Sequence, residues 1–448
     1  MVDEMGDSPE ASDPAPDPQM VFMDKLVSEL SRLASSQDEV LRLARIIDER
    51  AAEVDDAAQR AREFLRVQLD ADLDDEGLQR LMGVIMNAVK DPTGEDVLTE
   101  EDRREAFAKA VEDAVSDLPE GQASAYLAAV GRAISGPPSG HYLHRSLMVT
   151  LVGELEMLVN STARACFELK PGALSASEHM MSWNEMSKFN SLDDVRESLV
   201  DRVIEDVMRG SLDDWMSFFA KRFSIGKVAA SDQFPAQEVL QRRHCIVHNA
   251  GNASRLYIKK LERFPECKAI EGERLLVDSV YLREAADILY GLAYSLVWSA
   301  GFDLLKDEHA RSHLGRSLAN ECYFLLQNRR FHLVIDICNN APIKRLPEEH
   351  YLILLVNRWL AYKRTGRFQE VEKEVRDFKT ATKSKEFQLA RLALLDSTEE
   401  AWSLAQSMLK NDELSAAHYA AWPLLSEVRA YGESLEETLE VEASTGLS

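Results

Sequence analysis

The stretch Gln241-Arg-Arg-His-Cys-Ile-Val-His-Asn-Ala-Gly251 gathers two guanidiniums, two imidazoles and a carboxamide in one short run. Imidazole titrates near neutral pH and can take a proton from a hydroxyl or return one. A guanidinium beside it can hold a phosphate through two parallel hydrogen bonds and steady extra negative charge in a transition state. Those parts are sufficient to cut RNA without a metal. The histidine assists a 2′-hydroxyl in attacking the adjacent phosphorus, and the arginine steadies the pentacovalent phosphorane. On a helix, Arg243, His244 and His248 fall at about 0°, 100° and 140°, one polar arc. Val239 and Ile246 lie on the other side, so the helix is expected to rest on a core and turn its chemistry outward. Asn249-Ala250-Gly251 then supplies the helix stop.

The spacing also arises by chance, and Arg345-Leu-Pro-Glu-Glu-His350 is a second instance. Pro347 and two glutamates argue against a phosphate there. His309 and His313 stand one helical turn apart, a spacing that can hold zinc, but no cysteine or third ligand is near and a solvated face is expected. His141 and His144 read as covering the start of a helix, and Cys245 as core beside Ile246 and Val247. The run from Asp70 to Gly77 lacks the glycine and glutamate of a calcium loop, where Asp75 and Leu81 stand instead. There is no phosphate-binding glycine loop and no Gly-x-Ser-x-Gly elbow, which disfavours nucleotide hydrolysis and serine hydrolase chemistry. The chemistry as read requires neither a metal nor a cofactor.

The chain has 448 residues and a net charge of −25, a poor starting point for binding nucleic acid. The acidity is uneven: residues 1–140 carry −18, 141–300 carry −3 and 301–448 carry −4. Within 221–263 the balance reverses to +6, with Arg242, Arg255, Lys259 and Lys260 around the motif. That patch points to an anionic ligand. Five scattered cysteines and an N-terminus without a basic region or apolar core read as reduced thiols in a cytoplasmic protein with no secretory signal. The longest uncharged run, Ile288 to Phe302, is 15 residues, too short for a membrane span and suited to a buried helix.

The elements that must position the motif follow from periodicity, and they predict an all-α protein. Residues 1–20, with four prolines, six acids and no base, read as a disordered acidic tail. An acidic helical region spans 21–136, with helical spacing from Phe22 to Leu69 and a capping box at Thr99-Glu-Glu-Asp102 opening a helix to about Val115. Its charge suggests that it shields the basic patch, so that deleting 1–140 would raise activity. The Pro/Gly-rich run from Ser135 to Gly140 marks a boundary. The region 141–305 carries long helices over Tyr142–Glu168, Asp194–Met208, Asp213–Phe223, Gln237–His248 and Val280–Leu305, with a small hairpin at Lys268–Val277. From 306 to 432 short helices come in pairs. The stretches 322–338 and 359–375 align with a period of 37 from Phe331 to Phe368 and of 39 from Tyr323 to Tyr362, near the tetratricopeptide period, which gives a TPR-like helical array or, alternatively, an ordinary all-helical domain. Residues 433–448 read as an acidic tail.

Arg243-His-Cys-Ile-Val-His248 with its following Asn249 and Gly251 resembles the signature of HEPN proteins, and is nearest to their RiboL-PSP-HEPN branch. The likeness continues into Asn252-Ala-Ser-Arg-Leu-Tyr257, and Ser211-Leu-Asp-Asp-Trp215 is similar to a lead-in helix of the family; it covers roughly 141–305. The resemblance implies an up-down helical bundle that dimerises with its motif helices facing each other. It further implies a metal-independent endoribonuclease of the kind found in toxin–antitoxin and antiviral defence systems. Carried onto this chain, Arg243 and His248 take the catalytic positions. His244 stands where the family more often has Asn or Asp, and Asn249 matches the residue beside the histidine. Arg242, Tyr257, Arg255 and Lys259 are supporting or RNA-binding positions. The expected partners are RNA, a second copy of the chain, and a protein partner or regulator on the C-terminal helices. The alternative is a non-catalytic scaffold that uses the bundle only to dimerise.

Overall fold

The computed structural model describes residues 17–69, 73–90, 100–116, 118, 121–135, 139–174, 181–226, 228–341 and 343–445. The fold is all-α. Among the described residues the only strand-like pairing is a single antiparallel bridge, Asn252 to Arg274. The acidic tail up to residue 16, the Thr99 cap, the boundary residues 136–138, Lys227 and residues 446–448 lie outside the described residues.

Helices α1 (Pro18–Glu49) and α2 (Ala51–Val54) open the chain. Helices α3 (Ala57–Gln68), α4 (Asp75–Lys90), α5 (Glu100–Ser116) and α6 (Ala123–Ser135) follow. The region expected as one acidic unit divides here. α3 to α6 enclose their own small core around Leu65, Leu78, Leu81 and Tyr126, whose hydroxyl accepts from the Asp74 amide at 2.7 Å. α1 instead buries Phe22, Leu26, Leu30 and Leu33 against α7 (Ser139–Leu169) and α13 (Ser279–Leu304). Polar contacts fix it further. Arg32 pairs with Glu154, Ser31 Oγ donates to Glu321 at 2.6 Å, and Gln19 Oε1 accepts from the Lys306 and Asp307 amides. The deletion of 1–140 would therefore strip a helix from the main core. A test of shielding must remove 57–135 and leave α1 in place.

α7 is the spine of the bundle, with Met148, Leu151, Leu155 and Leu158 buried on one stripe. Past a single-turn α8 (Trp183–Met186), α9 (Leu192–Met208) and α10 (Leu212–Phe223) lead to the motif helix α11 (Phe234–His248) and the short α12 (Arg255–Leu261). α10 opens with a capping box between Ser211 and Asp214 and buries Trp215. The uncharged run from Ile288 lies within α13, where Leu289, Tyr290, Tyr294 and Trp298 are fully enclosed. The expected hairpin at 268–277 does not form. Gly272, at φ +85°, turns the chain so that 272–275 pairs with 251–253, Ala253 N donating to Glu273 O at 2.7 Å and Leu275 N to Gly251 O at 2.9 Å. The hydrogen-bonding partner of this segment is the loop after the motif.

Helices α14 (Glu308–Gln327), α15 (Phe331–Asn340), α16 (Glu348–Arg364), α17 (Glu372–Asp377), α18 (Lys385–Leu394), α19 (Thr398–Lys410), α20 (Ala416–Ala421) and α21 (Ser426–Thr445) follow, with α14, α15 and α16 packed on one another, α18 on α16 and α19, and α19 on α21. The two aligned stretches end their first helices alike. Arg330 N donates to Leu325 O and Arg367 N to Tyr362 O, both at 2.9 Å, across a left-handed residue at Arg329 and at Gly366. The array shares one continuous core with the bundle through α13. The segment expected as a tail from 433 is helical to Thr445, the continuation of α21. Charge alone misread it, because an acidic helix needs only one apolar stripe.

Candidate active site

α11 starts at Phe234-Pro235, where proline costs no hydrogen bond, and it buries Ala236, Val239, Cys245 and Ile246. That leaves the opposite arc to Arg243, His244 and His248. The two imidazoles lie side by side with centroids 4.6 Å apart and their planes tilted by 48°. Arg243 reaches across to α7, its Nη2 standing 3.4 Å from Glu156 Oε2, and its Nε has no partner. Both members of this long pair stay about 30% exposed (28% and 31%), so the contact is weak and open to displacement by a phosphate. Partial burial lowers the His244 pKa, and the charges of His248, Lys260 and Arg243 lower it further. Both effects favour the neutral form of His244, the form that accepts a proton.

The helix ends on a doubly left-handed turn. Asn249 N and Gly251 N both donate to Cys245 O, at 2.8 and 2.9 Å, while Ala250 and Gly251 take φ of +52° and +83°. Asn249 spends its amide on this turn, its Nδ2 donating to Asn252 O at 2.8 Å. Beneath it lies Arg145 of α7, which donates from Nη2 to Ile246 O at 3.1 Å. A β-carbon at Gly251 would come within 3.1 Å of that guanidinium, so glycine is required for space as well as for φ. Arg145 thus satisfies a carbonyl at the negative end of α11 and fixes the turn next to His248.

The supporting residues separate in the structure. Arg242 and Tyr257, expected as supporting or RNA-binding positions, turn away from the arc toward buried Glu238. Glu238 Oε1 accepts from Arg242 Nε at 2.7 Å and from the Tyr257 hydroxyl at 2.8 Å, and its Oε2 accepts from the Tyr281 hydroxyl at 2.7 Å. The Arg242 guanidinium also covers the Tyr281 ring at 4.0 Å and donates to Leu276 O at 2.5 Å. Burial and the adjacent Glu238 charge raise the pKa of both tyrosines, so they act as neutral donors. This is scaffolding behind the motif. Removing one partner leaves a buried charge uncompensated, so Glu238→Ala is expected to cost about 3–5 kcal/mol in a denaturant titration. Tyr281→Phe, which removes one of three donors, should cost about 1–2 kcal/mol.

The rest of the basic patch is largely spoken for. Arg255 pairs with Glu271 at 2.8 Å, Arg263 with Asp213 at 3.1 Å, and Arg222 donates to Ala173 O. Lys259 is exposed on the Arg255 side of α12, whereas Lys260 is the lysine whose charge acts on His244. Glu156 and Arg145 are the site residues that spacing around the motif did not single out. Both belong to a helix far away in sequence. The second Arg-to-His spacing splits apart, since Arg345 pairs with Asp303 at 3.3 Å and His350 is buried. His309 and His313 sit with ring centroids 4.5 Å apart on α14. No helix among the described residues is long and apolar enough to cross a membrane. No family model, no curated protein and no solved structure matches the chain.

Proposed function

We propose that the protein is a metal-independent endoribonuclease of the HEPN kind, acting as a cytoplasmic homodimer in a bacterial defence or toxin-like system. The observation that carries this reading is the polar arc of α11, where half-buried Arg243 and His244 stand together with exposed His248 and with Lys260 alongside. An RNA phosphate displaces Glu156 from Arg243 and takes both guanidinium nitrogens. A neutral histidine accepts the 2′-hydroxyl proton as the 2′-oxygen bonds to phosphorus. The bond from phosphorus to the 5′-oxygen then breaks, and a protonated histidine gives that oxygen its proton. Accepting and donating protons on opposite sides of one phosphorus suits two motif helices facing each other.

A second observation favours the dimer. Between the edges of α7 that meet α1 and α11 runs an uncharged strip of Tyr142, Ser146, Val149, Thr150, Gly153 and Met157. Tyr142 and Met157 are 62% and 53% exposed, and the space above Gly153 is open. In a chain with 29% charged residues such a strip beside the motif suits a second copy.

The test is direct. Purified protein should cut single-stranded RNA in EDTA, leaving 2′,3′-cyclic phosphate and 5′-hydroxyl ends. RNA with a 2′-deoxy residue at the cut site should resist. Full inhibition by EDTA, or 5′-phosphate products, would overturn the mechanism. A protein that cuts no RNA with or without divalent ions would leave the scaffold reading, which draws on the same strip of α7.

A further inference from the structure

The C-terminal array holds a polar group for which the ribonuclease reading has no use. Asn357 on α16 is only 3% exposed, and its Nδ2 donates to nothing among the described residues. It lines a groove of about 560 Å³ between α14, α16, α18 and α20, walled by Tyr323, Ile353, Val356, Phe387 and Trp422. α14 packs on α16 and α16 on α18, so the groove runs along one side of this helical stack, where stacked helices present extended binding surfaces.

The 37-residue period extends to the polar residues of this groove. Asn320 stands one period before Asn357, and Glu349 one period before Glu386. Both glutamates occupy first turns, of α16 and α18, and neither forms an ion pair among the described residues. Their neighbours Glu348 and Lys385 do, with Lys383 and Glu413. The groove therefore offers apolar walls, one enclosed amide donor in need of an acceptor, and at its rim two glutamates outside any ion pair among the described residues, with the His418 imidazole stacked on Trp422.

An occupant must match all three. Nucleic acid fails on charge. A helix fails because its carbonyls already accept their own hydrogen bonds. The chain's residues 1–16 carry no base, so charge speaks against them too. An extended polypeptide presents free backbone carbonyls and alternating side chains, and a lysine or arginine answers Glu349 and Glu386. We propose that this groove binds an extended segment of a partner protein in which a basic residue lies next to an apolar one. A backbone carbonyl of that segment accepts from Asn357 Nδ2. The inference is independent of the RNA chemistry.

The experiment is selection of phage-displayed random decapeptides on the full-length protein, followed by fluorescence anisotropy with the enriched peptide. The enriched sequences should share a Lys or Arg beside an aliphatic or aromatic residue. Glu349→Lys with Glu386→Lys, both away from the core, should weaken binding by at least about tenfold without changing oligomeric state or RNA cleavage. Asn357→Leu should weaken it by about tenfold, the scale of one buried hydrogen bond. No enrichment, acidic or uncharged enriched sequences, or binding indifferent to the double charge reversal would overturn the proposal. So would a change of sedimentation in the double variant, which would make a second copy the occupant.

Discussion

On the proposed ribonuclease reading, His248→Ala is expected to abolish RNA cleavage while the variant keeps its helicity and its sedimentation coefficient. His248 is exposed at the end of α11, and its ring touches only His244 among the aromatic groups, so truncation leaves no cavity in the core. What it removes is the proton carrier nearest the turn that Arg145 and Gly251 hold in place. Arg243→Ala should leave residual activity, lower by about 10²–10³-fold, the scale of losing one donor to developing negative charge. Arg243→Lys should recover little, because a single ammonium cannot reproduce the two-pronged grip. Glu156→Gln provides the internal control. It frees Arg243 without touching the histidines, so RNA should bind more tightly. Cleavage by His248→Ala at the unmodified rate, measured with single-turnover kinetics, would remove this assignment. A fall in activity that follows lost helicity would instead make the residue structural.

How far the site was legible depends on where each side chain gets its partner. The arc of Arg243, His244 and His248 needs only the pitch of one helix, and local spacing carries that. Arg242 and Tyr257 show the limit. Charge and position put them in a basic patch, yet Glu238, one turn before Arg242, draws both inward together with Tyr281 from α13. A carboxylate four residues before an arginine could have signalled that pairing. Nothing local announces Arg145 or Glu156, which arrive from α7 by helix packing roughly a hundred residues away. The same reasoning separates α1 from the acidic region. Its apolar stripe of Phe22, Leu26, Leu30 and Leu33 is plain in the sequence, but a stripe does not name the helix it packs on.

The second large effect concerns assembly. In the proposed mechanism one arc grips a phosphate from one side, with cations that repel a second arc until an anion lies between them. A two-fold dimer must therefore be held by something uncharged next to the motif, and the strip on α7 is placed for it. Met157→Arg puts a cation on that strip, and two-fold symmetry puts it there twice. An unpaired charge buried at an interface costs about 2–5 kcal/mol, which raises the dimer dissociation constant by about 30- to several-thousand-fold. Met157 is half-exposed and lies on a different face of α7 from the core positions Leu155 and Leu158, so the fold should survive the change. The expected result is a folded monomer by sedimentation, with cleavage lost although Arg243 and His248 are intact. Raising the protein concentration until dimers reform should restore cleavage in proportion to the dimer fraction. A strictly monomeric Met157→Arg protein that still cuts RNA at the unmodified rate would show that one arc suffices and would end the composite-site model.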